Sequence, residues 1–109
     1  MTRIISLFGE QLTIAFNMAV EIAYEKITGK SFDVEDLNTV EHTAALYYAA
    51  IITNNPETKI TADDLLRKAT AADIITLREA VFGAFADWCA IPDVMKEKSE
   101  KEEEGSPNA

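Results

Sequence analysis

The chain offers few side chains of the kind that do chemistry, and none stands at a spacing that a known chemistry requires. Its one histidine, His42, follows Glu41, and its one cysteine, Cys89, is far off in sequence. A zinc site needs three or four Cys, His or carboxylate ligands, and no second His or nearby thiolate is available to His42. His42 therefore reads as a surface or cap-proximal residue. Asp63 and Asp64 are adjacent, but neighbours on a helix point to different sides. A place at a helix start, where the macrodipole favours carboxylates, accounts for both. The serines Ser6, Ser31, Ser99 and Ser106 lie outside any Gly-x-Ser-x-Gly elbow, and four scattered glycines build neither a phosphate loop nor a dinucleotide fingerprint. No catalytic, cofactor-binding or metal-ligating residue is assigned, and the chain is read as a non-enzyme.

Binding is the remaining source of function, and aromatic side chains are its usual carriers. Ile74, Leu77, Val81, Phe85 and Trp88 share one stripe of a long helix, so Phe85 and Trp88 are expected in the core. Tyr48 and Phe82 lie off the main stripes and are candidates for exposed contact surface. With Tyr47 and Trp88 they form the candidate partner-binding set. Cys89, in the run Phe85-Ala86-Asp87-Trp88-Cys89, reads as a small core hydrophobe, because Asp87 works against a reactive thiolate.

Composition sets the frame for these residues. A chain of 109 residues with 48% hydrophobic content makes one domain with a single modest core. The formal charge of −9, from 19 acidic and 10 basic residues, opposes binding to nucleic acid or an anionic membrane. No signal peptide is evident, and no apolar run approaches the ~20 residues of a bilayer span. The cytoplasm is the default compartment.

The expected architecture is mainly α: about four helices in one domain over residues 1–95, with a hairpin-like segment at 1–16. Residues 3–8 and 11–16 are rich in Ile, Leu, Phe and Thr and flank Gly9, which favours a β-hairpin; one continuous helix over 3–16 is the competing reading. Asn17 is a good N-cap for a first helix, with Met18, Ala19, Ile22, Ala23 and Ile27 as its apolar face and Gly29 as a left-handed stop. Residues 31–37 form a polar connection with room for one helical turn. A second helix runs from Asn38 or Thr39 to about Thr53, with Val40, Ala44, Tyr47, Tyr48, Ile51 and Ile52 inward, and Asn54-Asn55-Pro56 ends it. Thr61 to Asp64 resembles a capping box before a short helix at 62–69. Thr70 caps the longest helix, which stops near Ala90. Residues 96–109 carry alternating Lys and Glu with almost no apolar content, and a flexible, disordered acidic tail is expected there.

In layout, the stretch from Phe16 to Phe32, with its Thr28-Gly29-Lys30-Ser31 end, resembles the N-terminal segment of tail assembly chaperones from long-tailed bacteriophages and prophages. The segment Ile60-Thr61-Ala62-Asp63-Asp64-Leu65-Leu66 and the Glu/Lys-rich end extend the likeness. The resemblance implies a protein that binds the tape measure protein and keeps it soluble while the tail tube assembles. It also implies a longer frameshifted product that recruits the tail tube protein, self-association into a homo-oligomer, residence in the host cytoplasm, and absence from the mature virion. Two other readings stay open: a head–tail joining or tail-terminating subunit, and an acidic mimic of nucleic acid that inhibits a basic partner.

Overall fold

Between Leu7 and Glu10 only two residues turn the chain. A computed structural model describes residues 2–90 and shows β1 (Arg3–Leu7) paired antiparallel with β2 (Glu10–Ile14), Arg3 opposite Ile14 and Leu7 opposite Glu10. Residues 3–16 thus form the hairpin rather than a helix. Phe8 at φ +51° and Gly9 at φ +80° supply the two left-handed residues of a type I′ turn, whose twist matches that of the strands. Such a φ costs a non-glycine residue about 1–2 kcal/mol, and asparagine tolerates it best. Phe8→Asn is expected to raise stability by about 1 kcal/mol, seen as a higher urea midpoint. A lower midpoint would mean that the ring, 37% exposed, makes contacts worth more than the backbone strain.

Alternation along the strands turns Ile5, Leu7, Leu12 and Ile14 to one face, the last three of them at most 1% exposed. That face lies on α4 (Ala71–Cys89) and α2 (Val40–Asn54). Arg3 reaches across α4 to Asp87 at 2.7 Å. Gly83 leaves room for this: a Cβ there would stand 2.9 Å from the Arg3 guanidinium carbon.

Between hairpin and α2, α1 (Met18–Thr28) begins on an Asn17 cap, whose Oδ1 accepts the Val20 N–H, and ends on Gly29 at φ +73°. Its buried residues are Val20 and Tyr24, whereas Met18 and Ile22 are 68% and 50% exposed. This corrects the expected face. The helix is apolar on nearly all sides, so its periodicity supports two overlapping stripes. It buries the one carrying the large Tyr24 ring, which meets Phe32 edge-on at 5.3 Å.

Tyr24 is fully buried, yet its hydroxyl has no hydrogen-bond partner among the described residues. Burial, and then the charges of Asp36 and Asp33, push its pKa above the usual tyrosine value. An unsatisfied buried hydroxyl costs about 1–3 kcal/mol. Tyr24→Phe, which keeps the ring contact, is expected to raise the thermal midpoint by roughly 4–8 °C, equivalent to about 1 kcal/mol. A fall in Tm would reveal that the hydroxyl is satisfied in solution.

A 3-10 turn (Val34–Asn38) leads to α2, the element against which α1, β2, α3 (Ala62–Arg67) and α4 all pack. Leu46, Tyr47, Ala49, Ala50 and Ile51 are buried, more than half of its circumference. Val40, expected inward, is 84% exposed because it stands on the first turn, ahead of the packed section. Thr61 with Asp64, and Thr70 with Asp73, form two reciprocal capping boxes at the starts of α3 and α4. The Thr61 backbone N–H, and then Lys68, hold the Asp64 carboxyl below the ordinary aspartate range.

The inward line of α4 is Leu77, Ala80, Val81 and Ala84. Cys89 falls roughly 130° round the helix from that line. It is exposed, which corrects its reading as a core residue. Trp88 follows the line but lies in the last turn beyond the packed section, and it is 43% exposed rather than core. The expected tail at 96–109 lies outside the described residues.

Candidate functional site

Leu65 and Leu66 are adjacent on a helix of only six residues, so one of them must turn away from the core. Leu65 goes inward at 6% exposure and Leu66 stays out at 65%. Across from α3, Thr39 caps α2 by accepting the His42 N–H, and its Oγ1 also lies 2.6 Å from His42 Nδ1. His42 is therefore part of a helix cap. The cap fixes the first turn of α2, so Val40 projects beside Leu66.

Val40, Ala44 and Leu66 line two apolar depressions at once and form the ridge between them. One groove, of about 420 Å³, is lined by Tyr47, Leu65, Ile74 and Phe82, with Leu37 and Arg78 at its sides. The other, of about 620 Å³, is lined by Ile27, Ala45, Tyr48 and Ala62, with Lys30, Glu41 and His42 around it.

The four aromatic candidates separate in this arrangement. Tyr47 and Phe82 come together, rings 6.1 Å apart and nearly perpendicular, in the smaller groove. Tyr47 is only 3% exposed, so it supports the groove from within and offers little surface of its own. Burial raises its pKa, and a hydrogen bond with Arg78 together with the Arg78 charge works in the opposite direction. Tyr48, half-buried, belongs to the larger groove on the other side of the ridge. Trp88 stands about 9 Å further along α4 than Phe82. It joins a separate cluster with Phe16 at 5.2 Å and Phe85 at 6.4 Å.

The ridge itself is what the sequence reading missed. Periodicity puts Val40 on the inner side of α2, and Leu66 enters the sequence reading only as the end of the segment Ile60 to Leu66. The usable signal was the Leu65-Leu66 pair within a short helix.

Asp63 pairs with Arg67 at 2.6 Å and Asp64 with Lys68 at 3.1 Å, four residues apart in each case. Among the described residues no three His, Cys, Asp or Glu side chains come together to hold a metal ion. No helix among them is long and apolar enough to cross a membrane. No family model, curated protein or solved structure matches the chain.

Proposed function

We propose that this protein is a tail assembly chaperone of a long-tailed phage or prophage, and that it holds a helical segment of the tape measure protein against the α2–α3 ridge. The observation that carries the reading is the pair of apolar grooves flanking Val40 and Leu66, on a protein of net charge −9. An amphipathic helix presents anchors at three- and four-residue spacing, which suits two adjacent depressions that share Val40, Ala44 and Leu66. The net charge of −9 opposes aggregation of a complex in which apolar surface is exposed in transit. Repeated weak sites along one long partner gain by effective concentration. The tail tube protein would be met through a longer frameshifted product, and the chaperone would leave before the virion matures.

Seven of the thirteen acids among the described residues are engaged locally, which favours this reading over a nucleic-acid mimic. Asp33, Asp64 and Asp73 cap helices, Asp63 and Asp87 pair with arginines, and Glu10 and Glu25 accept backbone N–H groups of Lys59 and Phe32. Residues committed to local bonds cannot also form a free row at phosphate spacing. A joining or terminating subunit would instead form a stable ring alone and stay in finished particles.

Co-expression with a tape measure protein encoded beside the gene tests the proposal. The expected result is tape measure protein in the soluble fraction, co-purifying with the chain at moderate salt. Tape measure protein that stays insoluble, together with retention of the chain in finished tails, would sink it.

A further inference from the structure

Each strand of the hairpin has one edge that its partner leaves unused. On β2 that edge is covered at Thr13 and Ala15 by the last residue of α2 and the connection after it. The Thr13 N–H donates to Asn55 Oδ1 at 2.9 Å, and the Thr13 carbonyl accepts from Asn55 Nδ2 at 2.8 Å. Two positions on, Asn54 Nδ2 donates to the Ala15 carbonyl at 2.9 Å, and the Glu10 carboxylate accepts from Thr58 Oγ1 and the Lys59 N–H. The side chains of this connection occupy the place of a third strand.

β1 has no such cover. A two-residue turn puts Leu7, Ile5 and Arg3 in the hydrogen-bonded pairs of the ladder, so the N–H and C=O groups of Ile4 and Ser6 point outward. Neither residue has a backbone partner on that side among the described residues. The strand also lacks the devices that usually discourage pairing: it has no proline, lysine or bulge. Its one charge, Arg3, is held by Asp87, and Ile4 is 64% exposed on the outer face.

The geometry points to antiparallel β1–β1 pairing of two copies of this chain about a two-fold axis at Ile4, joining their hairpins into one four-stranded sheet. The sequence of the edge is self-complementary in that register. Ile4 faces Ile4 and Thr2 faces Ser6, so all the outward-pointing groups exchange N–H···O bonds. The two exposed Ile4 side chains lie side by side and cover each other's carbon. On the other face Arg3 sits beside Ile5 of the second copy, and no like charges stand directly opposite across the seam. Moving the axis to Ile5 would set Ile4 against the Ser6 hydroxyl and lose that contact. A seam of one short strand buries less than the roughly 1,200 Å² of a stable interface. The dimer is therefore concentration-dependent, and added salt strengthens it by screening the charge of −9 on each copy. This pairing uses none of the groove residues and stands independently of the chaperone reading.

Sedimentation velocity over the micromolar-to-millimolar range tests it. The mass is expected to rise from 12.0 kDa toward twice that, more readily at higher salt. Amide exchange at Ile4 and Ser6 should slow in step with the dimer fraction. Ser6→Pro removes an outward N–H that the hairpin's own ladder does not use, and it should be folded and monomeric throughout. Ile4→Lys leaves the backbone untouched, sets two cations together at the axis and should also be monomeric; it decides the matter if the proline variant unfolds. A wild-type chain that stays monomeric at all concentrations would overturn the pairing, as would a dimer that survives Ile4→Lys. Protection of Ile4 and Ser6 only when another protein is added would give the edge to that protein's strand and exclude the second copy.

Discussion

Asn55→Ala is expected to destabilise the fold by about 3 kcal/mol, roughly 12–24 °C in thermal midpoint for a domain of this size. One side-chain amide does the work of two structural elements. Its oxygen accepts the Thr13 N–H, and its nitrogen donates both to the Thr13 carbonyl and to the Ile51 carbonyl at the end of α2. Alanine leaves the Thr13 N–H and carbonyl without these bonds in a part-buried place, where each orphaned group costs about 1–3 kcal/mol before any access to water is counted, while the Ile51 carbonyl keeps the backbone N–H of residue 55. The same change uncovers the second edge of the hairpin, so association at high protein concentration should rise as stability falls. Asn54→Ala gives a smaller loss, because Asn54 ties only the Ala15 carbonyl and its own helix at Ala50. Urea unfolding of the two variants against the parent separates the effects. An Asn55→Ala loss below about 1 kcal/mol would mean that water replaces the amide without penalty.

What the sequence could and could not show follows from the range of each interaction. Caps were legible because they close over three residues: Asn17, Thr61 and Thr70 each bond the backbone three positions on. The hairpin was legible through Gly9 and the apolar runs on either side. The residue beside Gly9 was not, since nothing local announces a phenylalanine at positive φ. Asn54-Asn55-Pro56 announced the end of α2 and nothing more. The reach of those two amides, 39 and 42 positions back to Ala15 and Thr13, belongs to the tertiary arrangement.

Helix facing failed where composition gave the helix a choice. α1 carries apolar residues on both sides, and only the arrival of Phe32 and α2 selects Val20 and Tyr24 over Met18 and Ile22. Periodicity places Val40 and Trp88 inward, and the apolar run around it does the same for Cys89. Val40 and Trp88 instead occupy end turns that the core does not reach, and Cys89 lies off the inward line of α4. Periodicity gives the angle round a helix and not the length over which that helix is covered. The ridge arises from this gap, since Val40 is exposed by its position along α2, and no feature of α2 alone indicates that Leu66 of α3 stands beside it.

The ridge gives the second large effect. Under the proposed function, the double variant Val40→Glu, Leu66→Glu is expected to bind a tape measure helix at least 30-fold more weakly, about 2 kcal/mol or more, while the fold stays intact. Both side chains are largely exposed, at 84% and 65%, so replacing them removes little core contact. Glutamate on the first turn of α2 is also favoured by the helix dipole. In a complex, the same two positions would put carboxylates into an apolar seam between two grooves, where their desolvation is costly. Net charge alone does not produce that result. Met18→Glu, on the outer face of α1 and 68% exposed, adds the same kind of charge away from both grooves and should leave affinity unchanged. Calorimetric titration with a tape measure peptide at two salt concentrations reads all of this at once. An apolar seam predicts a loss confined to the ridge variant and a weak salt dependence. Equal losses from Met18→Glu and the ridge variant, growing steeply at low salt, would instead make binding a matter of overall charge, and the grooves would not be the site.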